Sequence, residues 1–175
     1  MNLKEITIDG NVYDLVPRKE AIPSENTILN SKNTGYERGR EGEQYFFESN
    51  CYPTLEMYYD WREKMDNRVF NNAGYYTDEK LAMANIRADR LLRQLRRFSA
   101  MHRQNKIDWA DCNSFKFSIG FDYEYQDLQV NRWSQCRYFG EVYFDTMELA
   151  EQAMVNFRDD LMWYFTEYKD TATFK

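Results

Sequence analysis

The single histidine of the chain, His102, is the first candidate for acid–base chemistry, because histidine is the side chain that titrates near neutral pH. No serine or cysteine beside it completes a recognisable nucleophile pair. His102 follows Phe98 by about one helical turn, near the end of a basic segment. We therefore interpret it as a packed histidine or as one at the C-terminal end of a helix dipole, and not as a general base.

The three cysteines could in principle hold zinc together with His102. They are Cys51, Cys112 and Cys136, and none belongs to the tight Cys-x₂₋₄-Cys spacing from which structural zinc sites are usually built. Their odd number and spacing favour free, buried thiols in a reducing compartment. Nucleotide-binding glycine motifs, a nucleophile elbow, a zinc-protease helix and a calcium loop are also missing from the sequence. The sequence predicts no catalytic residue, no metal and no cofactor, and so a protein that is not an enzyme.

One basic segment lies in an acidic chain. The net charge is −6, yet residues 87–106 carry seven Lys or Arg and one acid, a local charge of +6. On a helix, part of this set would point away from the apolar stripe and could meet phosphates by bidentate hydrogen bonds. The candidate nucleic-acid-binding residues are Arg87, Arg90, Arg93 and Arg97. The competing interpretation is a solvated helix face whose arginines pair with acids such as Glu63 or Asp66.

A second candidate surface consists of aromatic residues among acids. It occurs in two segments, YPTLEMYYDW (52–61) and FDYEYQDLQVNRW (121–133). Strand alternation buries only half of such a set, and exposed Tyr and Trp anchor protein interfaces at low entropic cost. The candidate protein-binding residues are Tyr58, Trp61, Tyr123 and Tyr125.

The composition favours a folded α+β protein without a membrane segment. The 175 residues are 43% hydrophobic and 17% aromatic, which is ample material for a core. No apolar run approaches the roughly 18–20 residues of a membrane span. The sequence begins MNLKEITIDG, with charged residues where a signal peptide needs an apolar stretch. We therefore expect a cytoplasmic protein that does not enter a membrane.

The first forty residues separate into two parts. Residues 5–8 and 12–16 are β-prone and flank Asp9-Gly10-Asn11, which predicts an N-terminal hairpin over 1–16. Residues 17–41 are rich in polar residues, Pro and Gly, which predicts a linker. Such a hairpin could cap the chain's own sheet or add to a sheet edge of another chain.

The remaining sequence contains two similar segments, which predict the fold class. Tyr75-Tyr76 and Leu81-Ala82 match Tyr143-Phe144 and Leu149-Ala150 at an offset of 68 residues. We predict an α+β fold of two related antiparallel β-meander–helix units preceded by the short N-terminal β-hairpin. The predicted boundaries are 42–104 for the first unit, 105–114 for a connector and 115–175 for the second unit.

Individual elements are predicted within these units. The alternation over 115–121 predicts a half-buried strand that continues past a glycine kink to Tyr125. Helices are predicted from Thr77, as N-cap, to about residue 103, and from Asp145 or Thr146 onward to about residue 169. Trp109, the largest apolar residue of the connector, is expected to be buried where the units meet.

The same segments resemble a family of small proteins from tailed bacteriophages and prophages. The resemblance rests on GEQYFF (42–47) and RVFNNAGYYTDEKLAMA (68–84), with CRYFGEVYFDTMELAEQAM (136–154) as the closing unit. Asn72-Ala73-Gly74 stands where that family has Gly-Asn, and Lys80 stands where it usually has an acid. The resemblance implies a phage-type origin and leaves the activity open.

Two functions follow as expectations. The first is a non-enzymatic phage or prophage accessory protein that binds a host or phage protein, such as a host defence or phage replication factor. The alternative is a nucleic-acid-binding accessory protein that uses the basic face of the helix over 87–103.

Overall fold

The computed structural model describes residues 5–8, 11–14, 34–49 and 54–170. The chain divides into two compact units, residues 1–32 and residues 33–175. In the first of these, β1 (Glu5–Ile8) pairs antiparallel with β2 (Asn11–Asp14). The N-terminal hairpin is therefore present, with Ile8 opposite Asn11. Most of the predicted linker and Cys51 lie outside the described residues.

Two hairpin–helix units follow the N-terminal hairpin in the sequence, at the positions of the predicted β-meander–helix units. The first begins with a hairpin, which belongs to the predicted meander, and continues with a helix that the sequence did not predict. Strand β3 (Gln44–Glu48) pairs antiparallel with β4 (Leu55–Tyr59), and α1 (Lys64–Asn71) follows. Glu63 and Asp66 form a capping box at the start of α1. This acid pair was the signal for the helix.

Residues 34–41, predicted to belong to the linker, pack against the first hairpin–helix unit instead. The Arg38 guanidinium donates two hydrogen bonds to the fully buried Asp60, at 2.6 and 2.9 Å. The Tyr36 ring lies 5.5 Å from that of Tyr76. The buried carboxylate requires a cation, and the segment before β3 supplies it.

The long helix α2 (Glu79–His102) starts one residue later than predicted. Its N-cap is Asp78, whose side chain accepts a hydrogen bond from the Leu81 N–H, and not Thr77. The last residue of α2 is His102, whose exposed ring is tilted against that of Phe98, with 4.4 Å between ring centroids. The structure therefore places His102 at the helix C-terminus.

The second hairpin–helix unit contains a hairpin where a single kinked strand was predicted. Strand β5 (Lys116–Asp122) pairs antiparallel with β6 (Asp127–Trp133). The prediction that the strand continues to Tyr125 is wrong, because the Asp122 carboxylate accepts the backbone N–H groups of Glu124 and Tyr125 and turns the chain.

The predicted C-terminal helix is two helices. Thr146 caps α3 (Met147–Asn156) by accepting from the Leu149 N–H, and α4 (Arg158–Thr166) begins after Phe157. Phe157 has φ −116° and ψ 20°, outside the helical range, which separates the two helices. Within the described residues the fold thus has six strands in three two-stranded antiparallel sheets, and four helices.

Matched positions of the two hairpin–helix units make the same contacts. The backbone of Phe46 in β3 exchanges two hydrogen bonds with Tyr76, and that of Phe117 in β5 exchanges two with Phe144. In each unit the partner of the strand residue, Tyr76 or Phe144, precedes the helix N-cap by two positions. The third strand of each predicted meander is thus reduced to a single bridging residue, and the α+β class with two hairpin–helix units is the observed one.

The helix α2 serves both hairpin–helix units. Near its start, Leu81 and Ala82 pack with Tyr76 and with the hairpin residues Phe46 and Leu55. Farther along, Leu91 and Leu95 belong to the largest core cluster, with Phe121, Phe144 and Leu161. The helix α2 therefore contributes core residues to both units and does not pack on its own hairpin alone.

The connector between α2 and β5 is attached through a buried lysine. Lys116 is fully buried, and its ammonium group donates to the carbonyl oxygens of Asp111, Ser114 and Ser134, at 2.8, 2.6 and 3.3 Å. Trp109 is half-buried and stands edge-on to Tyr143, with 4.8 Å between ring centroids.

The cysteines of this region differ from the prediction of buried thiols. Cys112 and Cys136 are free, as expected, but both are exposed. They lie in irregular segments outside the two hairpin strands, where side chains are not enclosed by a sheet face.

The matched alanines give the first testable prediction. Ala82 and Ala150 are both completely buried at the starts of α2 and α3. Replacing either with leucine should overpack the helix–sheet junction and lower the free energy of unfolding by about 1–3 kcal/mol. Denaturant titration followed by circular dichroism measures the change. Ala100→Leu, at an exposed position of α2, is the control and should change stability little. Equal stability of all three variants would contradict the proposed packing.

Candidate functional site

Within the described residues, the outer edge of β4 carries backbone groups that no hydrogen bond reaches. Phe46 uses its N–H and C=O for Tyr76, so Phe46 and Met57, which face each other in register, are a non-hydrogen-bonded pair. Hydrogen-bonded pairs alternate with such pairs along an antiparallel ladder. The backbone groups of Leu55, Met57 and Tyr59 therefore point away from β3. Within the described part of the chain no hydrogen bond reaches them.

Large side chains are exposed along the same strand and just after it. The exposed fractions are 46% for each of Met57, Tyr58 and Tyr59, 59% for Trp61 and 44% for Met65. We call these five side chains the hairpin surface. Because successive residues of a strand point to opposite faces, Tyr58 lies on one face of β4 and Met57 and Tyr59 on the other. Sequence reasoning selected Tyr58 and Trp61 and missed Met57, Tyr59 and Met65. The missed signal was LEMYY, in which Leu55, Met57 and Tyr59 share one face and Glu56 and Tyr58 the other.

Two buried carboxylates hold the end of β4 in place. Asp60 is bound to Arg38, and its Oδ1 also accepts the backbone N–H of Arg62. Asp66 accepts hydrogen bonds from the Tyr45 hydroxyl and from the backbone N–H of Trp61, both at 2.9 Å. Because the backbone at both ends of this turn is hydrogen-bonded, the Trp61 position is fixed relative to β4.

These contacts also shift the ionisation of the buried groups. The hydrogen bonds from Arg38 hold the pKa of Asp60 below its ordinary value of 3.8. Burial, reinforced by the neighbouring Asp66 carboxylate, raises the pKa of Tyr45. Asp60 is therefore ionised and Tyr45 neutral at physiological pH, which fits a positioning network.

The other predicted protein-binding residues lie on a different hairpin. Tyr123 and Tyr125 are 68% and 77% exposed, in the turn between β5 and β6. The Tyr123 ring packs edge-on against Phe121, with 5.1 Å between centroids. In the part of the chain that the structure describes, no ring contact or hydrogen bond joins these tyrosines to Tyr58 or Trp61.

Arg87 and Arg93, two of the candidate nucleic-acid-binding residues, form ion pairs with acids of the described part of the chain. Arg87 donates to Asp160 at 2.8 and 3.0 Å and stacks over the Trp163 ring at 4.0 Å. Arg93 donates to Glu48 at 2.9 Å. The arginines thus pair with acids from α4 and β3, and not with Glu63 or Asp66 as the sequence suggested. Acids distant in sequence reach this helix face because α2 contacts both hairpin–helix units.

The remaining two arginines differ from each other. Arg90 is half-buried and lines, with Arg87, Met83 and Trp163, a groove of about 690 Å³. Arg97 is exposed one α-helical turn beyond Arg93. The four arginines therefore do not form a uniform row of free guanidinium groups.

Across residues 34–49 and 54–170, no three His, Cys, Asp or Glu side chains are grouped as a metal ion would need. None of the helices over these ranges is long and apolar enough to cross a membrane.

Comparisons with protein-family models, with curated proteins and with solved structures found no match to this chain.

Proposed function

We propose that this chain is a non-enzymatic accessory protein of a phage or prophage that acts in the bacterial cytoplasm by binding another protein. The observation that supports this most is the hairpin surface beside the open edge of β4. Here five large apolar or aromatic side chains are at least 44% exposed over nine residues of sequence. A concentration of exposed apolar and aromatic side chains, here on both faces of β4 and just after it, is typical of interaction sites in soluble proteins.

The residues of this surface are suited to anchoring a partner. Tyr and Trp combine a large contact area with few rotatable bonds, so their immobilisation costs little entropy. Trp61 and Tyr58 are the principal anchors. The buried Asp60 and Asp66 support this assignment, because they fix the backbone that carries Trp61 before a partner arrives.

The exposed turn with Tyr123 and Tyr125 is a secondary contact in this proposal. Its tyrosines are more exposed than those of β4, but the Asp122 carboxylate binds the backbone N–H groups of Glu124 and Tyr125 in their turn. The phage or prophage origin rests on the sequence resemblance described above, and the partner is a host or phage protein.

Nucleic-acid binding is the alternative function, and the arginine face gives it less support. Arg87 and Arg93 would each have to leave a carboxylate to contact a phosphate. The chain's net charge of −6 adds long-range repulsion of a polyanion.

A comparison of bait proteins in host lysate tests the proposal. The wild type should retain a specific protein that Trp61→Ala and Tyr58→Ser baits lose at least tenfold, while the exposed control Met101→Ala keeps it. The retained protein is then purified and its affinity for each variant measured directly. Retention that is equal for all baits, or that depends on Arg90 and Arg97 and not on Trp61, would contradict the proposal.

A further inference from the structure

The edge strands of the two hairpin–helix units, β4 and β6, differ in how they are protected against pairing with another strand. In β6 the residue opposite the bridging Phe117 is Arg132, whereas in β4 the residue opposite the bridging Phe46 is Met57. Arg132 is exposed and its guanidinium lies over the Phe115 ring at 4.4 Å. A charged side chain at an edge discourages pairing with another strand. The β6 edge thus carries a protecting charge where the β4 edge carries a half-exposed methionine.

The β4 strand carries only one charged side chain and no basic one. Its sequence, LEMYY, has no Lys, Arg or Pro and has one acid, Glu56, which is half-buried. A strand with an unpaired edge and exposed apolar side chains is a template for another strand.

The β4 edge is complementary to itself. If two copies approach antiparallel with Met57 opposite Met57, then Leu55 of each lies opposite Tyr59 of the other. All three outward-facing residues of each strand then fall in hydrogen-bonded pairs, in which both N–H and both C=O groups are used. No outward-facing backbone group of β4 is left without a partner in this register.

The side chains also agree with this register. On one face, Met57 meets Met57 of the second copy and Tyr59 meets Leu55, which are apolar cross-strand pairs. On the other face, Glu56 lies opposite Tyr58, so the two acids are not directly opposed. A shift of the register by one residue would place outward-facing backbone groups opposite groups already bonded to β3.

We propose that two copies of this chain associate through antiparallel pairing of their β4 strands, centred on Met57. The proposal rests on the protein-binding function proposed above and names a second copy as one partner of that surface. Pairing of five-residue strands buries less area than a standard protein interface, so the dimer is weak and forms with rising concentration.

Sedimentation equilibrium over about 1–500 µM tests this association. The wild-type average mass should rise from one chain of 21.2 kDa towards two. Met57→Arg introduces the residue that β6 carries at the matched position, and Met57→Glu introduces an acid. Each variant alone should remain a single chain, because like charges face each other at the centre of the interface. An equal mixture of the two should recover the dimer.

The outcomes separate this inference from the proposed function. Met83→Arg, at an exposed position of α2, is the control and should associate like the wild type. A wild type that stays a single chain, a Met57→Arg variant that dimerises normally, or a mixture that does not recover the dimer would overturn the inference. A single-chain wild type that still captures a Trp61-dependent partner would overturn the dimer and leave the proposed function standing.

Discussion

Replacing Arg38 with leucine should lower the free energy of unfolding by about 3–5 kcal/mol, because it leaves the fully buried Asp60 carboxylate without its principal cation. The backbone N–H of Arg62 and its guanidinium, 3.5 Å from Asp60, remain in place and favour the lower end of this range. Chemical denaturation at pH 7 measures the loss. Arg40→Leu, at an exposed position two residues later, is the matched control and should cost less than about 0.5 kcal/mol.

The pH dependence of the same pair has a definite sign. Asp60 has a pKa below its ordinary value of 3.8, so its ionised form is favoured by folding. The contribution of the ion pair to stability is complete above the unfolded-state value and disappears as the pH falls through the folded-state pKa. The stability difference between wild type and Arg38→Leu should therefore shrink below about pH 3.8. If Arg38→Leu and Arg40→Leu lowered the free energy of unfolding equally at pH 7, the stabilising role of the Arg38–Asp60 ion pair would be contradicted.

The second large effect is expected at Lys116. Lys116→Met should lower the free energy of unfolding by about 2–4 kcal/mol, because three carbonyl oxygens lose an ammonium donor and methionine offers none. Lys106→Met, at an exposed position of the connector, is the control. Denaturant titration of both variants measures the difference. Equal stability of the two would mean that the carbonyl groups find other donors, and that Lys116 does not attach the connector.

Lys116 also shows what the sequence could not predict. Alternation of Phe and polar residues over 115–121 correctly predicted a strand, but the faces are partly inverted. Lys116 and Ser118 are buried, whereas Phe115 is 46% exposed. Local periodicity cannot show that loop carbonyls from Asp111 and Ser134 converge on a lysine, because these contacts are set by the tertiary fold. The strand was predictable and its environment was not.

The starts of α2 and α3, predicted to within one residue, and the matched junctions were the most predictable features. Asp78 and Thr146 cap their helices with local side-chain hydrogen bonds, which depend on residues only three positions apart. The β5–β6 turn was misjudged although its signal was also local. Asp122 caps the turn by accepting the backbone N–H of Glu124. The sequence of β6 was not recognised as a strand, because it is rich in polar residues and its two faces are unequally buried.

The candidate site was predictable in part. Exposed Tyr58 and Trp61 follow from composition and alternation, since the segment over 52–61 is rich in aromatic residues and a strand buries only one of its faces. The open edge beside them does not follow from the sequence, because it depends on Phe46 pairing with Tyr76, a residue thirty positions away. In the same way, the acids that bind Arg87 and Arg93 are brought to α2 by the fold.

Residue-resolved amide hydrogen exchange of β4 tests the central claim, engagement of this edge by another chain, most directly. In dilute protein the amides of Glu56 and Tyr58, which bond to β3, should exchange slowly, and those of Leu55, Met57 and Tyr59 should exchange fast. At high concentration, or with a bound partner, the three outward-facing amides should become protected, while those of Val130 and Arg132 on the β6 edge should not change. Outward-facing β4 amides that stay fast under every condition, while a partner is bound, would contradict the account.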